Sequence, residues 1–170
     1  TKKPSSALDK LISTFNNRVE ALDEELWDAA KAKGYDMEDI IVIASLIEKE
    51  TDGTDHAKIS SVIYNRLSDD GGHGTYKMLN IDAALLYALP AGTTSLTNAD
   101  KEMDSPYNLY KYQGLPPTAI ANPGLASIKA ALNPADTDYY YYALGKDGQH
   151  HYSKTLSEHN NFLNSGNYAG

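Results

Sequence analysis

Glu50 closes the most hydrophobic stretch of the chain, residues 40–51. On a helix its neighbours three, four and seven positions back are Ile47, Leu46 and Ile43, so its carboxyl continues an apolar face. A carboxyl in that position resists ionising. Burial disfavours the charged form, raises the pKa and leaves an acid able to donate a proton near neutral pH. Glu48 lies about 200° around the same helix, beside Ser45, Ala44 and Ile41. Taken alone, the pattern favours the plainer reading, that both are solvated glutamates at a helix end.

Other groups could carry chemistry. His150, His151 and His159 are candidate metal ligands, but their spacing matches no metal motif, and no metal or other cofactor is called for. Adjacent strand residues face opposite ways, so one of His150 and His151 should face inward and the other solvent. A serine hydrolase lacks its Gly-x-Ser-x-Gly elbow. Most of the 13 tyrosines read as core or hairpin aromatics. Tyr107, Asn108 and Tyr110 differ, because they lie in a loop stiffened by Pro106, Gly114, Pro116 and Pro117, where rings and amides suit stacking on and bonding to sugars.

The elements that must position these groups are mostly helical. Ser5 or Ser6 can cap a helix whose stripe runs through Leu8, Leu11, Ile12, Phe15, Val19, Leu22, Leu26 and Trp27, ending at Gly34. Asp36 is the expected N-cap of the Glu50 helix, with Glu38 and Asp39 in its first turn. A third helix runs from about Asp55 through Arg66 until residues 71–74 break it, and a short one covers 82–89. A polar connection spans 90–104, and an irregular loop, longer than most connections, spans 105–124. Asn122 followed by Pro123 reads as cap and first residue of a helix over 125–132. Residues 139–144 and 150–153 read as a β-hairpin turning at 145–148, and 155–163 as a closing helix. The expected class is α+β, mostly helical with a small antiparallel hairpin.

Length and composition narrow the partners. The 170 residues, 41% of them hydrophobic, suffice for one domain with a real core. A net charge of −8 without a basic stripe argues against nucleic acid. The absence of cysteine removes disulfides, thiolate metal sites and a Cys nucleophile. No apolar run is long enough to span a membrane. The start at Thr1, Lys2, Lys3 and Pro4 suggests an excised piece of a longer protein, from which an anchoring segment has been removed.

Six ordered segments carry a resemblance: residues 44–51 around Glu48-Lys49-Glu50-Thr51, 62–67 with Tyr64-Asn65-Arg66, 105–110 with Tyr107-Asn108, 114–117, 120–124 with Asn122-Pro123, and 153–160 through His159-Asn160. In this order they resemble the catalytic domain of the endolytic murein transglycosylases, the YceG-like (MltG) family. The resemblance implies a lysozyme-like catalytic core over 36–164, with 1–35 a helical segment packed on it, all within one domain of 170 residues. It implies lytic cleavage of the β-1,4 bond between N-acetylmuramic acid and N-acetylglucosamine in peptidoglycan, leaving 1,6-anhydro ends. Glu50 falls on the family's catalytic glutamate. A single carboxyl serving as acid and then base needs no partner, whereas a hydrolase needs a second one across the bond. Thr51, Asp82, Tyr107, Asn108, Tyr110, Asn122 and His150 are nominated to hold the substrate. The resemblance also implies an extracytoplasmic site at the bacterial membrane, a membrane anchor and a LysM-like portion outside this chain, and partnership with cell-wall synthesis machinery.

The chain departs from the family where relatives carry Gln-Ser/Thr-Asp-Pro-Thr and it has Asn80, Ile81, Asp82, Ala83 and Ala84. That puts Asn80 as a ligand in doubt and leaves Asp82 open as a second acid or the cap of its helix. Between Thr51 and Lys58, where relatives often carry Glu and Arg, a charged edge of the cleft is altered. A peptidoglycan-binding domain without turnover and a two-carboxylate muramidase remain as alternatives.

Overall fold

The computed structural model describes residues 4–170; the first three, on which the excised-piece expectation partly rests, lie outside them. Helices α1 (Pro4–Glu20), α2 (Glu24–Ala32), α3 (Met37–Glu50), α4 (His56–Ser68), α5 (Asp82–Ala88), α6 (Asn98–Lys101) and α7 (Leu125–Leu132) precede strands β1 (Tyr141–Leu144) and β2 (His150–Ser153), and α8 (Leu156–Leu163) follows. The class is α+β, with one two-stranded antiparallel sheet among the described residues.

Helix α3 is the axle. Asp36 caps it through a reciprocal box in which Asp36 accepts from the Asp39 N–H and Asp39 from the Asp36 N–H, both at 3.0 Å. Ile40, Ile43, Leu46 and Ile47 are fully buried, each contributing on the order of 1.5–3 kcal/mol through lost apolar surface. Helices α4, α5 and α7 pack around α3. Ser45, the one polar residue in that buried run, donates to the Val42 carbonyl (2.7 Å) and accepts from the Ile120 N–H (3.0 Å), so it ties the 105–124 loop to the core.

Four expectations need correction. The long N-terminal stripe is two helices, because Asp23 accepts from the Glu25 N–H (3.1 Å) and starts α2 afresh. Helix α1 begins at Pro4, so Ser5 and Ser6 sit inside its first turn and not at the cap. Only from Phe15 and Val19 onward does its stripe reach the core; Leu8, Leu11 and Ile12 are 58%, 67% and 52% exposed. The polar connection contains α6, capped by a reciprocal box between Thr97 and Asp100. Helix α7 is capped at Gly124, two residues past Asn122. Its free N–H end is closed from outside, by the Glu48 carboxylate accepting from the Gly124 N–H (2.9 Å) and the Ser127 hydroxyl (2.6 Å).

The hairpin pairs Tyr142 with Tyr152 and Leu144 with His150 on one face, leaving Tyr141, Ala143, His151 and Ser153 on the other. Helix α8, capped by Thr155, covers the second face, with Phe162 stacked on His151 and His159 on Tyr141. The C-terminal stretch adds a further rung, with the Ala169 N–H on the Leu144 carbonyl at 3.0 Å.

Two residues near the end of α4 fasten the hairpin to the helical body. Asn65 donates to the carbonyls of Thr137 and Tyr139, both at 2.9 Å. Arg66 donates to those of Tyr140 (2.5 Å) and Leu79 (2.6 Å), with Tyr141 beneath its guanidinium. Beyond α4 the buried Asp69 carboxylate accepts from the N–H groups of Gly71, His73 and Thr75 and from the Thr75 hydroxyl, closing the 69–76 turn. Gly71 is required there: its φ is +114°, and a Cβ would stand 2.4 Å from the Tyr76 ring.

Candidate active site

Glu50 is the last residue of α3 and opens into a cleft of about 810 Å³, within the range of ligand sites, roughly 300–1,000 Å³. It is lined by Glu50, Asn80, Asp82, Lys101 and Tyr110, by Tyr142, Leu144 and His150 of the hairpin, and by Leu156, His159 and Tyr168. Burial pushes the Glu50 carboxyl above its ordinary range. The Tyr142 hydroxyl, donating to Oε2 at 2.7 Å, pulls the other way, the Asp82 charge pushes it up further, and His150 and Arg66 pull it down. The balance favours a carboxyl that holds its proton. Tyr142 in turn is held far from ionising by its own burial and by the Glu50 charge, so it acts as a fixed donor.

Glu48 shows the opposite logic on the same helix. Its bonds from Ser127 and the Gly124 N–H lower its pKa and keep it an anion. The facial distinction drawn from the sequence holds, although Glu48 caps a neighbouring helix where plain solvation was the expectation.

Of the nominated substrate residues, Asp82, Tyr110 and His150 line the cleft with Glu50. Asp82 is the first residue of α5 and bonds none of its N–H groups, so it is not the helix cap. Its Oδ1 instead accepts from the Tyr110 hydroxyl, with Lys101 Nζ at 4.0 Å and over the Tyr110 ring. His150 is inward and 10% exposed at its side chain, with Nδ1 2.8 Å from Asp55 Oδ2, whereas His151 is outward and pairs with Asp147.

The other four nominees lie elsewhere. Thr51 ends α3 and donates to Asp55 Oδ1 at 2.7 Å, serving the turn into α4. Tyr107 packs on the core edge beside Tyr87 and bonds Thr118. Asn108 is fully buried, with its amide spent on the carbonyls of Lys101 and Met103 and on the Tyr110 N–H; loop backbone deprived of a ladder needs such a partner. Asn122 lines a separate groove between α1 and α7. Asn80, doubted on sequence, does line the Glu50 cleft, in a left-handed turn (φ +54°) that asparagine tolerates.

Sequence reasoning missed Tyr142, Asp55 and Arg66. Tyr142 was readable in principle, since pairing Leu144 with His150 puts residue 142 on the inward face of the hairpin. Asp55 stood in the sequence only as the approximate start of a helix. Its side chain bonds no N–H of α4 and instead accepts from Thr51, His150 and Tyr152, the last at 2.5 Å. Burial pushes its pKa up, but these bonds outweigh it and bring it down to about 2. Asp52, Asp55 and His150 offer ligand atoms within 4.8 Å of one another. Each Asp55 oxygen already accepts two donors, which a cation would have to displace.

The sequence model of the YceG-like family matches residues 1–165. An endolytic murein transglycosylase of Bacillus subtilis (strain 168) is 38% identical over 159 residues, covering 92% of this chain and 42% of that protein. One from Streptococcus pneumoniae is 30% identical over 167 residues, covering 92% of this chain and 29% of that protein. The crystal structure of a YceG-like protein from Listeria monocytogenes superposes with a TM-score of 0.70 at 36% identity, over 92% of this chain and 46% of that one. The chain thus spans less than half the length of each of these relatives.

Proposed function

The chain belongs to the YceG-like family, and on that premise we propose that it is the catalytic domain of a peptidoglycan lytic transglycosylase. Residues 36–164 form the working core, with the helical segment over 4–35 packed on it. The observation that carries the reading is Glu50, a carboxyl whose burial favours the protonated form, set at the wall of a cleft.

In this reading Glu50 gives its proton to the glycosidic oxygen between N-acetylmuramic acid and N-acetylglucosamine as the C–O bond breaks. The muramoyl 6-hydroxyl then attacks its own anomeric carbon and returns its proton to the Glu50 carboxylate. The product ends in a 1,6-anhydro ring, no water is consumed, and the acid is restored. The Tyr142 hydroxyl on Oε2 steadies the anion between the two steps. Oε1 has no partner among the described residues and is the oxygen free to face the bond. Asp82, Tyr110 and His150 bind the sugars, joined by Asn80 and Lys101 from the same cleft. The substrate lies outside the cytoplasmic membrane. No described helix is long and apolar enough to cross a membrane.

A second reading, hydrolysis with Asp82 as the second carboxylate, draws on Asp82 sharing the cleft and acting on Glu50. Its bond to Tyr110 and its neighbour Lys101 favour a binding role instead. Incubation with purified glycan strands and mass spectrometry of the products separates the readings. Anhydro ends are expected; reducing ends would establish the hydrolase, and bound but intact strands a domain without turnover.

A further inference from the structure

Asp55 gathers three elements at one carboxylate. Thr51, directly after Glu50, donates to Oδ1, and His150 and Tyr152 of β2 approach Oδ2 at 2.8 and 2.5 Å. The side chains of Asp55 and His150 are only 8% and 10% exposed. An ionised carboxylate can only accept, so the hydrogen between Asp55 and His150 sits on Nδ1. Whenever the ring is neutral, the other ring nitrogen, Nε2, then carries a lone pair. It has no partner among the described residues, is not sealed from solvent, and belongs to a ring lining the Glu50 cleft.

We infer that Asp55 is a positioning residue, which fixes His150 as its Nδ1–H tautomer so that Nε2 accepts a hydrogen bond from a sugar hydroxyl beside Glu50. The inference rests on the transglycosylase reading for the identity of the hydroxyl, and on geometry alone for the tautomer. The same carboxylate holds β2 against the start of α4, and Tyr142, opposite Tyr152 in the register, is carried with it onto Glu50. His150 meets Tyr142 edge-on at 5.3 Å, so a rotated imidazole would disturb that hydroxyl too.

The test uses the whole chain and two readouts. In nitrogen-15 spectra of the histidine rings, taken where they are neutral, wild-type His150 is expected as Nδ1–H. Asp55→Asn offers an amide that can donate to Nδ1 and should turn the ring to Nε2–H. On glycan strands the same variant should lower kcat by about 10- to 100-fold, as loss of an orienting carboxylate behind a working histidine does, while KM moves by less than about threefold. Tyr152→Phe removes a different donor from Asp55, and should keep the tautomer and hold kcat within about threefold of wild type. Nε2–H in the wild type, or equal losses in Tyr152→Phe and Asp55→Asn, would overturn the inference. Should Asp55→Asn fail to fold, His150→Phe decides: its kcat must fall by a similar factor, and activity within about twofold of wild type sinks the idea. If the wild type cleaves no strand, the transglycosylase reading fails, while the tautomer still tests the Asp55–His150 pair separately.

Discussion

A carboxyl's working state is set by what its fold gives it, and Glu48 and Glu50 receive opposite things two residues apart on α3. Burial raises Glu50 from an ordinary value of 4.5, so the folded state prefers its protonated form. That contribution is complete below about pH 4.5 and is lost as pH rises through the raised value. Glu50→Gln, neutral and nearly isosteric, should therefore raise Tm at pH 7–8 and leave it unchanged near pH 4, while cleavage falls by about 10²–10⁴-fold. Thermal melts at two pH values and product assays check the two halves independently. Glu48→Ala removes the cap of α7 and should cost about 1–2 kcal/mol in urea unfolding, with kcat per folded molecule nearly unchanged; Glu48→Gln, which can still accept, should be milder. Asp55 runs the other way. Its lowered pKa stabilises the fold above about 3.8, by on the order of 2 kcal/mol, and that stability fades as pH falls toward about 2. Asp55→Asn should flatten the acid limb of stability between those values.

At the scale of elements, what the sequence made legible was periodicity and punctuation. The apolar run over 40–47, Asp36 at its head, the four tyrosines before a Gly-Lys-Asp-Gly turn and Thr155 before α8 all follow local rules, and the elements stand where those rules put them. The facial position of Glu50 was legible for the same reason. Other site contacts were not, because they join residues far apart in the chain: Tyr142 meets Glu50 across 92 residues, and His150 meets Asp55 across 95. Asn108 was hard to read because an amide in a Pro/Gly-rich loop looks the same in sequence whether it bonds a sugar or, as here, its own backbone. Arg66 belongs to this scale as well. It satisfies carbonyls of the 78–79 segment and of the hairpin base together, so Arg66→Met would strand two acceptors at about 1–3 kcal/mol each. Such a variant should unfold at lower urea. In the folded fraction it should also show a higher Glu50 pKa, since the Arg66 charge lowers it; carboxyl carbon NMR titration reads that shift.

Across the whole molecule, stability is concentrated around α3 and thins toward the amino terminus. Leu8, Leu11 and Ile12 remain exposed on α1 while Val19 and Ala30 are buried. Charged substitutions at Leu8 and Leu11 should change unfolding free energy by less than about 0.5 kcal/mol, whereas Ile43→Ala, at 0% exposure, should cost about 2–5 kcal/mol; chemical denaturation of the three variants gives the comparison. The direction of α3 carries a consequence of its own. Its capped amino end faces outward, and its carboxyl end, where the aligned peptide dipoles leave a partial negative charge, lies at Glu50. A carboxylate formed there by giving up a proton stands against that charge, at a cost of roughly 0.3–1 kcal/mol in an exposed setting and more when buried. The orientation that makes Glu50 a weak acid therefore makes its conjugate base a stronger one, so that in the proposed reaction the helix axis itself would favour return of the proton to the residue that released it.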